Sequence, residues 1–150
     1  MKLITGYIIA AFLVAFSTQS TPVQNCKDAP APKDVRFDGC SEPPCLLVRG
    51  TNATAEWDFS IPEDTNVLKP RVLATYLGET VLYPFPQENA CDTLKNAKCP
   101  LKSGQDVTYQ LSMPILEYYP RIPVSVEFAF LDDKDKLILC FAFSAKVVDQ

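Results

Sequence analysis

In the stretch "IPVSVEFAF", Ile122, Val124, Val126, Phe128 and Phe130 fall on every second position and make one wholly apolar face. A period of two fits a strand with one face buried, and no helix can present it. The same beat runs through "NATAEWDFSI", where Ala53, Ala55, Trp57, Phe59 and Ile61 oppose a polar set. It recurs at Val107, Tyr109, Leu111 and Met113 of "DVTYQLSM", and at Leu137, Leu139, Phe141 and Phe143 of "KLILCFAFSAKVV". "RVLATYLG", "KDVRFDG" and "CLLVRG" are shorter candidates, and "LDDKDK" predicts a hairpin between the last two long strands. Beyond the N-terminal segment no stretch repeats at i, i+3, i+4. Six to eight strands punctuated by 13 prolines predict an all-β sandwich of two antiparallel sheets. Its inward registers carry Trp57, Phe59, Tyr76, Tyr109, Met113, Phe128, Phe130, Phe141 and Phe143, and no charge.

The N-terminal segment has a different grammar. Lys2 precedes the apolar run "LITGYIIAAFLVAF", and small polar residues "STQST" follow. That is the pattern of a secretory signal peptide over residues 1–20, cleaved after Ser20 or, as the close second, after Ser17. Residues 21–150 then form one domain, expected to be soluble and long enough for a core.

Secretion makes the six cysteines a disulfide framework. Fifteen pairings exist in principle. Cys40 with Cys45 and Cys91 with Cys99 stand out as local pairs around turn-rich segments, which leaves Cys26 with Cys140. No C-x-x-C occurs and the chain has no histidine, so neither a zinc site nor a Ser-His or Cys-His couple is expected. The 18 acidic residues lie mostly in loops and on polar faces, where solvated carboxylates are the ordinary reading. A net charge of −4 without a basic patch argues against nucleic acid as a partner. Asn52-Ala53-Thr54 is an N-glycosylation sequon on the polar register of its strand.

Two loops break the polar rule for connections. "VLYPFP" and "MPILEYYPRIP" place large apolar side chains where strands end, between prolines that cannot join a sheet interior. Such segments fit the lips of an opening between the sheets, into which a flat apolar molecule could slide.

The segments "TPVQNC", "GCSEPPCLLVRG", "YPFPQENACDTLKNAKCPLKSGQDVTYQL" and "YYPRIPVSVEFAFLDDKDKLILCF", with the six-cysteine order, resemble the Niemann-Pick type C2 branch of the ML lipid-recognition domain family. The resemblance covers nearly all of residues 21–150. It implies an immunoglobulin-like sandwich with a hydrophobic cavity between the sheets and the same three disulfides. It implies a ligand-binding set of Phe85, Ile115, Tyr119, Pro120, Ile122, Val124, Val126, Phe128 and Phe141. The family often carries Trp where Phe128 and Phe141 stand and Val where Ile115 stands, and Tyr118 adds a second ring beside the mouth.

The function expected on this basis is a soluble, secreted carrier of a sterol, with no cofactor, no metal and no catalysis. The lumen of the lysosome is a second location that a signal peptide allows. Fatty acids or small volatile signals are alternative cargo, and a lipid-sensing recognition module is an alternative role. A monomer is expected, with a membrane or membrane protein as acceptor of the lipid. Arg121 stands near the mouth and reads as an ordinary surface arginine.

Overall fold

The alternating segments become strands in a computed structural model of the chain, which describes residues 3, 8–12 and 19–150. Most of the expected signal peptide therefore lies outside the described residues. The strands are β1 (Gln24–Asn25), β2 (Asp34–Phe37), β3 (Cys45–Val48), β4 (Thr51–Ser60), β5 (Lys69–Tyr76), β6 (Glu79–Tyr83), β7 (Asp106–Ile115), β8 (Pro123–Leu131) and β9 (Leu137–Val148). Among the described residues a single 3-10 turn, Ala90–Thr93, is capped by Asn89, whose side chain accepts from the Cys91 amide.

One sheet runs β1-β9-β8-β5-β6, with β3 also on β9, and the other runs β2-β4-β7. The expected immunoglobulin-like β-sandwich is thus present. Every pairing is antiparallel except β3 with β9, where Cys45–Val48 lies parallel to Ala145–Val148. The three disulfides join Cys26 to Cys140, Cys40 to Cys45 and Cys91 to Cys99. The short β1 and the edge strand β6 were not separable from loops by alternation. Tyr76 departs from its inward expectation and is 38% exposed. It closes the β5–β6 hairpin opposite Glu79.

The inward registers are graded by size along the sandwich. Towards one end, Trp57 on β4 meets Tyr109 at 4.6 Å, Phe128 at 4.8 Å and Phe141 at 5.1 Å, and Phe59 meets Phe130 at 5.5 Å. Tilted and edge-to-face rings of this kind fill the roughly 10 Å between sheets. Continuing the same registers the other way, Trp57 gives way to Ala55 and Ala53, Phe143 to Ala145, and Phe128 to Val126 and Val124. Val124 lies opposite Ala145, Ala53 opposite Met113, and Ala74 between Val81 and Val126. Small side chains meeting at one end cannot span the gap that the rings span at the other.

On the outer face of the smaller sheet, Arg36 gathers three carboxylates: Asp34 at 2.6 Å, Asp58 at 2.9 Å and Glu56 at 3.5 Å. Its hydrogen bonds hold the Asp58 carboxyl below the ordinary value of 3.8, and Lys33 and Ser60 do the same for Asp106. Carboxylates made more acidic by folding add stability that is complete above their unfolded pKa and is lost as pH falls through the folded one. With no histidine, no side chain of ordinary pKa titrates between about pH 5 and 8. Urea midpoints should therefore stay level from about pH 8 to 5 and decline below about pH 4. Arg36→Gln should make that decline shallower; an unchanged acid limb would remove this cluster from the account.

Candidate functional site

The small-residue end holds an apolar cavity of about 200 Å³ that is open on one side. The larger sheet supplies Val72 and Ala74 from β5, Tyr83 from β6, Val124 and Val126 from β8, Val147 from β9 and Leu47 from β3. The facing sheet supplies Met113 and Ile115 from the end of β7, and the β7–β8 connection adds Tyr119, Pro120 and Ile122. Ile115, Val72 and Val126 are buried at its base, while Ala74, Tyr119, Ile122 and Val124 are half-buried and Pro120 is exposed. The mouth therefore opens between the end of β6 and the β7–β8 connection.

Local chemistry explains how the mouth is held. The Tyr119 amide donates to Leu116 at 3.1 Å, making a turn, and Arg49 donates to the Tyr119 carbonyl at 3.1 Å. Val147 donates to the Ile122 carbonyl at 3.0 Å, tying the connection to β9. Gly50 takes φ of +80°, which other residues rarely adopt, and donates to Ile115 at 2.6 Å. Across the mouth, the Tyr83 and Tyr119 hydroxyls lie 2.5 Å apart, with ring centroids at 6.1 Å and planes at 82°. Burial first, and the Tyr119 hydrogen bond second, push the Tyr83 phenol pKa upward, so it stays protonated at any ordinary pH. Tyr118 packs edge-on against Tyr119 at 5.2 Å and is 79% exposed.

Six of the nine residues expected to bind ligand meet in this cavity: Ile115, Tyr119, Pro120, Ile122, Val124 and Val126. Phe85, Phe128 and Phe141 do not line it. Phe128 and Phe141 are buried in the aromatic half of the core. Phe85 packs edge-on against Phe128 at 5.5 Å, so the loop of Pro84 and Pro86 presses its ring into the side of the sandwich. Arg121 pairs with Asp149 at 2.7 Å on the surface, as read from the sequence. Sequence reasoning missed Leu47, Val72, Ala74, Tyr83, Met113 and Val147 as lining. Alternation carried a signal for Val72, Ala74 and Met113. Leu47 and Val147 become neighbours only through the parallel β3–β9 pairing.

A larger groove of about 470 Å³ runs outside Phe85 and Pro86, but Arg36, Asp38, Glu56 and Lys95 line it. Hydrocarbon laid there would strip water from four charges, a costly exchange, so it is a poor lipid site. At its edge the Tyr109 hydroxyl donates to Gln87 at 2.5 Å, and burial pushes that phenol up to about 12. Among the described residues, the one close group of cysteine and acidic side chains, Cys26, Glu127 and Cys140, contains a disulfide and offers no thiolates.

Residues 20–147 match the model of the ML domain. NPC intracellular cholesterol transporter 2 homolog a of Drosophila melanogaster is 29% identical over 115 residues, covering 75% of this chain and 77% of its own. NPC intracellular cholesterol transporter 2 of Danio rerio is 26% identical over 148 residues, covering 97% of each chain. In three dimensions, the crystal structure of a Niemann-Pick type C2 protein from Japanese carpenter ant superposes with a TM-score of 0.76 at 22% identity. It covers 85% of this chain and 99% of the other, a likeness of fold.

Proposed function

The chain belongs to the ML domain family, and from that premise we propose that it is a secreted carrier that holds a sterol between its sheets and releases it at a membrane. The observation that carries this reading is the apolar cavity between the sheets. The cavity is open at its mouth, so when it is empty its wholly apolar lining lies against water. Covering such a concave apolar surface removes hydrocarbon from water, which argues for an apolar occupant. Burying about 400 Å² of lipid hydrocarbon returns up to ~10 kcal/mol, less the cost of lost motion. The work is burial alone. No bond is made or broken, and the cavity lining contains no acid, base or cation.

The cavity is smaller than the ~300–1,000 Å³ of sites for drug-sized ligands. A sterol would require the sheets to part towards Phe85, Phe128 and Phe141, which keeps those three in the proposed binding set. The volume also favours a second reading, in which the cargo is a smaller volatile or short-chain lipid that fits without expansion.

Release at a membrane is supported by the hairpin beside the mouth. Leu77 and Gly78 form its two-residue turn with φ of +48° and +80°. Leu77 is 83% exposed in a backbone region that costs a non-glycine residue energy. Val81 and Leu82 are 58% and 69% exposed. Among the described residues no helix is long and apolar enough to cross a membrane. Asn52 is exposed near the start of β4, and glycosylation there belongs to the proposal.

Native mass spectrometry of the secreted protein, followed by solvent extraction, tests the reading. A stoichiometric sterol is the expected finding, and the intact mass would also report a glycan. A smaller lipid would select the second reading. A protein that carries nothing and binds no labelled sterol or fatty acid would overturn both.

A further inference from the structure

We propose that removal of the N-terminal segment after Ser20 creates a structural ammonium group on Thr21, and that the Asp34 carboxylate and the Val35 carbonyl form the site that receives it. The inference concerns the processed chain end and is independent of any cargo.

β2 is an edge strand of the smaller sheet, so its outward backbone groups need partners from outside that sheet. Thr21 supplies two of them. Its amide donates to the Val35 carbonyl at 2.7 Å, and its hydroxyl accepts from the Phe37 amide at 2.9 Å. The same hydroxyl donates to the Cys40 carbonyl at 2.5 Å, beside the Cys40–Cys45 disulfide. Thr21 is 3% exposed, whereas Gln19 and Ser20 are exposed, so the fold takes hold of the chain at Thr21. One residue earlier, the Ser20 hydroxyl donates to Asp34 Oδ1. The other carboxylate oxygen of Asp34 accepts from Arg36 at 2.6 Å.

Hydrolysis of the Ser20–Thr21 peptide bond consumes one water. Its oxygen completes the Ser20 carboxylate, which leaves with the departing segment, and its two hydrogens turn the Thr21 amide nitrogen into an ammonium at neutral pH. The peptide N–H had one hydrogen, spent on Val35, so the ammonium gains two unspent donors. Departure of Ser20 strips Asp34 Oδ1 of its donor in the same step. Ser20 is bonded directly to the Thr21 nitrogen, so the vacated acceptor and the new donors lie close together. A charge-assisted hydrogen bond then joins them. The surrounding charge also favours a cation. Around Thr21 stand Asp34 and Arg36 on β2, Glu56 and Asp58 on β4, and Asp38 and Glu42 after β2, so carboxylates outnumber the guanidinium. Lys33 and Lys95 are already paired, with Asp106 at 2.7 Å and Glu56 at 3.1 Å.

N-terminal sequencing of the protein secreted from eukaryotic cells should begin at Thr21. A start at Thr18, from cleavage after Ser17, would leave the Thr21 nitrogen an amide and overturn the site. The ammonium itself is read by NMR, from the carbon-13 shifts of Thr21 in threonine-labelled protein followed across the alkaline range. An ordinary α-amino group titrates at about 7.7–8.0. Pairing with Asp34 favours the charged form, so the midpoint should lie about one unit higher, a tenfold gain in proton affinity. Asp34→Asn should return it to about 8. A wild-type midpoint within or below the ordinary range, or one that Asp34→Asn leaves in place, would overturn the site, and the wild-type value decides even if the variant fails to fold. The same shift has a sign for stability. A group whose pKa is raised by folding stabilises fully below its unfolded value of about 8 and ceases to do so as pH rises through the folded one. Urea midpoints of the processed protein should therefore fall above about pH 8 more steeply than those of a form that keeps Ser20 ahead of Thr21. Matching declines would overturn the site. None of these readings depends on bound lipid, so their failure leaves the carrier reading standing.

Discussion

Ala74→Phe is expected to leave the fold intact and to remove lipid binding. Ala74 sits on the wall near the mouth, between Val81 and Val126 on the neighbouring strands. An apolar cavity of about 150 Å³ takes up a benzene ring, so the phenylalanine ring would occupy most of the 200 Å³ available here. Filling a void commonly stabilises by about 0.5–2 kcal/mol. The combination to look for is at least a tenfold loss of sterol or fatty-lipid binding, read by displacement of a fluorescent lipid, with a melting temperature equal to or above wild type. A variant that still co-purifies with stoichiometric lipid would place the cargo elsewhere in the molecule.

The second large effect concerns stability. Cys26 and Cys140 are 114 residues apart, whereas the other two pairs close separations of 5 and 8. Cross-linking removes unfolded-state freedom in proportion to the logarithm of the closed loop, and a loop of about 100 residues is worth ~4.7 kcal/mol. A short loop of about 15 residues is worth ~3 kcal/mol or less on the same scale. Cys26→Ala with Cys140→Ala should therefore lower unfolding free energy in urea by more than Cys40→Ala with Cys45→Ala does. The bond also anchors β1 to β9 at the residues flanking Asn25 and Phe141, so native contacts are lost as well. Equal losses from the two double variants would show that local strain or native contacts outweigh loop entropy.

The legible part of this protein is the part written in period two. "IPVSVEFAF" and "NATAEWDFSI" each determine a strand, its inward face and its place in a sandwich, because a one-residue slip would turn every apolar side chain to water. The cysteine order and the absence of histidine were equally readable, since both act through composition. Short edges were less so. β6, "ETVLY", is exposed on nearly all positions and carries almost no alternation, yet its last residue, Tyr83, forms one lip of the mouth.

The cavity lies between these cases. Its ingredients are visible in the chain as alanines and valines that follow rings in the same register, Ala53 and Ala55 beside Trp57, Ala145 beside Phe143, and Val124 and Val126 beside Phe128. Each strand by itself says only that its apolar face tapers. The sequence of this chain thus determined the strands, their buried faces, the cysteine framework and the apolar loops between prolines. Tertiary structure alone decided that the tapered ends coincide, that Leu47 reaches Val147 through a parallel pairing, and that Tyr83 meets Tyr119 across 36 residues of chain. The reason is physical. Alternation is a local constraint on one strand, whereas a gap between sheets depends on the summed widths of side chains from both.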